Sequence, residues 1–151
     1  MEGLSPQARF ELLSEVVGLD ESSIDHVRHS IRHLLPQMSD LIRTLHGALQ
    51  RKATARVLGD LDPARREHLQ SLFASFVMRT IGCNFDEDYC TYAHEVSHGD
   101  AVPPRLFPLA LAMAGEFVSR TLPPAVDEPD RLASMLASWD KLLAVLGELT
   151  R

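Results

Sequence analysis

Apolar residues recur along most of the chain at intervals of three and four, the spacing that lines one face of a helix. Apolar–polar alternation never persists, and no Asn-Gly or Asp-Gly pair marks a hairpin. The first helix is expected over Pro6–Val17, with Ser5 as its cap, Pro6 in its first turn and Gly18 as its stop. A second is expected over Ser22–Leu35, with Ile24, Val27, Ile31, Leu34 and Leu35 on one stripe. Pro36 should kink or break the pattern, because its ring removes a donor and crowds the preceding turn. A third helix follows, with Met38, Leu41, Ile42, Leu45 and Leu49 on its apolar face. A short piece over Thr54–Leu58 ends at Gly59.

Asp62-Pro63 is a strong helix start, and the helix it opens should run to Ile81 and stop at Gly82. Leu69, Leu72, Phe73, Phe76, Val77 and Ile81 face inward on it. Asp86 opens the next helix, which carries Tyr89, Cys90, Ala93, His94 and Ser97 and ends near Gly99. A long helix over Arg105–Thr121 is apolar on most sides, which predicts a place in the middle of the bundle. Pro123, Pro124 and Pro129 mark a loop, and the last helix covers Arg131–Leu149. The fold class is therefore all-α, in one domain spanning residues 1–151.

The length of 151 residues allows a single domain with a real core. A net charge of −6 argues against nucleic acid as a partner, since phosphate binding needs a cationic face. The basic groups Arg51, Lys52, Arg56 and Arg65, Arg66 read as solvated helix faces. No apolar run is long enough to span a membrane. The N-terminal residues MEGLSPQARFELLSE have no signal-peptide core, and two cysteines without a CxxC pair make no disulfide scaffold. The expected compartment is the cytoplasm. No nucleophile elbow, phosphate-cradling loop or HExxH motif is present, so no enzyme activity is predicted.

Three segments carry a family likeness. LLPQMSDLIRTLHGAL, HLQSLFASFVMRTIGCNFDEDY and EVSHGDAVPPRLFPLALAMAGEF follow one another between Leu35 and Phe117. Together they resemble the haem-containing sensor domain of bacterial globin-coupled sensors and protoglobins. In the first, Leu45-His46 stands where the family has a Phe-Tyr pair. The second is similar to the distal helix and the acidic start of the next one. In the third, His98 falls at the proximal histidine, and Arg105, Leu106 and Phe107 follow Pro104 where the family has a basic residue and an aromatic pair. The Tyr89–Pro104 segment is a few residues shorter than in the family.

The resemblance implies a globin-like bundle of seven to eight helices holding haem b. On it, His98 is the iron ligand, and Leu45, Leu69, Leu72, Phe73, Phe76 and Met113, with Leu41 and Leu109, form the apolar walls. His46 is the polar group over the ring, donating to bound gas or binding the iron as a sixth ligand. The implied function is sensing a diatomic gas, oxygen first, with the last two helices forming a homodimer interface that signals to an output domain or partner. The alternative is a haem-free globin-like module for protein interaction or a small ligand. His94 competes with His98, being four residues away on the same helix face. Cys90, His94 and His98 form a stripe of soft-metal or zinc ligands. One helix cannot close a tetrahedral site alone, a fourth ligand such as Cys83 would have to fold back, and zinc ranks behind haem. His26, His29 and His33, and separately His68, read as exposed, and Trp139 as an anchor for the last helix.

Overall fold

A computed structural model describes all 151 residues. It contains eight α-helices and no strand: α1 Pro6–Val17, α2 Glu21–Leu34, α3 Met38–Ala48, α4 Lys52–Leu58, α5 Pro63–Ile81, α6 Glu87–Ser97, α7 Leu106–Ala125 and α8 Pro129–Leu149. The chain is an all-α, globin-like bundle around one continuous apolar core.

Local chemistry sets most of the boundaries. The side chains of Ser5, Asp20, Asp62 and Asp86 each accept a hydrogen bond from the backbone N–H three residues on, which caps α1, α2, α5 and α6. Gly18 ends α1 in the left-handed region at φ 76°, where a side chain is disfavoured. Pro36 converts the end of α2 into a 3-10 turn, Leu35–Gln37, before α3 begins.

Leu35, expected on the apolar stripe of the second helix, lies in the 3-10 turn beyond it and is exposed. Three expectations about helix extent and placement also differ from the structure. The Pro123-Pro124 pair lies inside α7, in its last turn, where both rings face solvent and few backbone donors are lost. Pro129 is the first residue of α8, a position that needs no N–H, so that helix starts two residues earlier than the pattern suggests. The third concerns the centre of the bundle, which is α8 and not α7. α8 packs on α1, α2 and α7 together. It buries Met135, Trp139, Leu142, Val145, Leu146 and Leu149. Ser30 on α2 accepts from the Trp139 indole at 2.7 Å and locks the two helices in register.

No helix is long and apolar enough to cross a membrane.

Candidate functional site

α7 is apolar on most sides because it lines two adjoining cavities. The inner one, about 60 Å³, lies among α2, α3, α5, α7 and α8, and 17 of its 18 lining residues are hydrophobic. The outer one, about 440 Å³, opens between α3, α4 and α7. They share five residues, Leu41, Leu45, Phe73, Ala110 and Phe117, which form the wall between them. Around the outer mouth stand Arg51, Arg120 and Glu116.

The predicted wall residues divide among these spaces. Leu45 and Phe73 line both cavities, Phe76 the inner one and Met113 the outer one. Leu69 is completely buried and Leu72 half-buried, but neither reaches a cavity.

The two predicted polar residues are elsewhere. His46 points across to α5, its Nε2 3.4 Å from the Gln70 carbonyl oxygen, and lines neither cavity. His98 lies just past the end of α6 and is exposed. Its Nδ1 sits 2.7 Å from the His94 carbonyl oxygen and 3.0 Å from Ser97 Oγ. Its Nε2 sits 2.9 Å from the backbone oxygen of Arg151. The ring thus fastens the end of α8 to the end of α6 and does not point inward.

The packing of α6 explains this. It turns Tyr89, Cys90 and Ala93 to the core and lies against α1. Between α6 and the inner cavity stands an aromatic wall: Phe76 meets Phe107 edge-on at 5.1 Å, with Tyr89 and Tyr92 at 6.3 and 6.4 Å on its α6 side. Tyr89 also shares a buried hydrogen bond of 2.8 Å with Thr80, which fixes the wall in place. No residue of α6 lines either cavity.

His94 stacks on His98 with ring centroids 4.2 Å apart. Desolvation first, then the charges of His98 and Arg9, hold its imidazole below the ordinary value. Its Nδ1 is buried without a partner. The zinc stripe does not assemble: no three His, Cys, Asp or Glu side chains converge anywhere in the molecule. Cys90 is fully buried, and burial, helped by Asp86, pushes its thiol up to about 11; burial raises Cys83 as well.

A globin haem needs an axial ligand, ordinarily a neutral imidazole, above a water-free slot. No histidine, cysteine or tyrosine lines either cavity. Met38 and Met113 do, but a thioether ligates haem alongside a histidine, and none is there. The inner cavity, at about 60 Å³, falls well below the roughly 300 Å³ at which ligand pockets begin, and the outer one, at about 440 Å³, has no axial ligand in its lining. The residues present do not fit haem.

One feature escaped the sequence pattern. Arg65, read as solvated, donates from Nε to the Ala101 carbonyl at 3.0 Å and braces the loop before α7. Its basic neighbours gave no sign of this, because the loop it reaches is 36 residues away.

The chain matches no protein-family model, no curated protein and no solved structure.

Proposed function

We propose that this chain is a haem-free, globin-like regulatory module that works by binding rather than by catalysis. The observation that carries this reading is His98, whose ring nitrogens both face backbone oxygens on the far side of an aromatic wall from the cavities. An imidazole bonds iron through a free lone pair, and here Nε2 is engaged with Arg151. The two cavities remain as apolar space with an exposed, charged mouth, which suits a small ligand or partner signal.

The homodimer expected from the last two helices has a narrower face than a bundle-edge helix offers, since α8 is central and mostly covered. Part of its outer surface borders a groove on α1, α7 and α8, with Val17, Leu111, Gly115, Ala144 and Gly147 in it and Glu148 and Arg151 at its edge. A second copy is proposed to pair there.

The test is a titration of the purified chain with hemin, read in the visible spectrum. The expected result is no Soret band beyond that of free hemin, unchanged in His98→Ala and His46→Ala. A stoichiometric Soret band lost in either variant would overturn the haem-free reading.

A further inference from the structure

The outer cavity combines three properties that select a ligand class. Its volume, about 440 Å³, lies inside the roughly 300–1,000 Å³ range of small-molecule sites. Its floor is apolar, and only the side chains of Leu45, Phe73 and Phe117, with Leu41 and Ala110, separate it from the inner cavity. Its mouth carries two cations, Arg51 and Arg120, against one anion, Glu116. Glu116 pairs with Arg120 at 3.0 Å. Arg51 makes no ion pair, since the four in the molecule use Arg28, Arg43, Arg120 and Arg151. One positive charge at the rim is thus unmatched.

The roof is also suited to admitting a guest. α4 buries none of its seven residues and no side chain caps it. A hydrogen bond from the Thr54 hydroxyl to the Ala48 carbonyl ties it to the end of α3. Val57 on α4 and Leu109 on α7 both line the cavity and leave 45% and 41% of their surfaces to solvent. Both apolar side chains are therefore accessible to a guest entering at the mouth. Apolar voids of the inner kind stay dry and accept hydrocarbon readily.

We propose that this site binds an aliphatic monocarboxylate, its head at Arg51 and Arg120 and its chain running inward past Leu45 and Phe73 toward Trp139. This rests on the haem-free reading, since a porphyrin needs the same space. A single anionic head satisfies the unmatched charge, and a flexible chain filling the outer chamber reaches the inner one when the Leu45 and Phe73 side chains that divide them turn aside. A partner helix would fill the outer chamber and leave the inner one void.

The test uses the full chain and saturated carboxylates of eight, ten and twelve carbons, below their micelle concentrations. Calorimetry gives affinity, and Trp139, the only tryptophan and a lining residue of the inner cavity, reports arrival of the chain. Affinity should rise about fourfold per added methylene, the worth of burying one CH₂. Dodecanoate should also shift Trp139 emission. Methyl dodecanoate, lacking the charge, should bind up to about fivefold more weakly at low salt, and the Arg51→Gln/Arg120→Gln double variant should erase that difference. Leu109→Glu, at an exposed position that spares the fold, should weaken dodecanoate more than its ester. Affinity independent of chain length, acid and ester binding alike, or binding with no change at Trp139 each overturns the proposal. Hemin and dodecanoate have separate readouts. A chain that takes up neither loses only the carboxylate site, whereas a haem band lost in His98→Ala or His46→Ala overturns the wider reading.

Discussion

Ser30 is fully buried and makes two hydrogen bonds, accepting from the Trp139 indole at 2.7 Å and donating to the Val27 carbonyl at 2.6 Å. Each bond supports the other, because the hydroxyl that donates backward is fixed to present its lone pair forward. Ser30→Ala leaves the Trp139 N–H buried without a partner. The expected cost is about 1–3 kcal/mol of stability, measured by urea unfolding. Trp139→Phe in the same background removes that unsatisfied donor, so it should cost less there than in the wild-type chain, and a double-mutant cycle checks this non-additivity. The sequence showed Trp139 as an anchor, but not Ser30. A serine among Val27, Ile31 and Leu34 looks like a neutral helix position until the indole from 109 residues away arrives. His98 illustrates the same limit more sharply. Its spacing from Cys90 and His94 was readable, but the direction of its ring depends on where α8 ends, and that is a tertiary fact.

Helix ends were legible because their causes are local. Ser5, Asp62 and Asp86 cap the helices they were expected to cap, and Pro36 interrupts the chain where its ring must. The relative placement of α7 and α8 was not legible. A helix apolar on most sides can lie in the centre or can line cavities, and hydrophobicity alone does not separate the two. α7 does the second, with Ala110 and Phe117 in both cavity walls, and α8 does the first. Two glycines test how well each element tolerates change. Gly147 sits inside α8 with no atom within 4 Å of where an added methyl group would stand, so Gly147→Ala should stabilise the chain by about 0.5–1 kcal/mol. Gly59 ends α4 at φ 90°, so Gly59→Ala should destabilise it by about 1 kcal/mol or more. Thermal melts of the two variants should move in opposite directions. α4 itself, with no buried residue, should exchange its amide protons with the fastest rates of any helix, and α8 with the slowest. Equal protection of the two in a hydrogen-exchange measurement would contradict this ordering.

For the molecule as a whole, acid acts through two groups placed at opposite ends of its pH range. His94 is held below the ordinary imidazole value of 6.5 by desolvation and by the neighbouring His98 and Arg9, with Glu95 opposing. As pH falls below about 6.5, the unfolded chain binds a proton at this position before the folded one does. Stability is therefore complete above that value and declines on acidification until the folded His94 protonates as well. Asp20 carries the lower step. Its carboxylate accepts from the Ser23 N–H and hydroxyl, which hold it below its ordinary 3.8. Its contribution is present above that value and is lost as pH drops through the folded one. Both steps have the same sign, so the urea midpoint should fall from pH 7 to pH 5 and fall again below pH 4. His94→Gln keeps a polar side chain and removes the proton site, which should flatten the upper step and leave the lower one. Asp20→Asn keeps the cap and removes the charge, and should do the reverse. A wild-type midpoint identical at pH 7 and pH 5, or an upper step that survives in His94→Gln, would show that the stacked imidazoles do not couple protonation to folding.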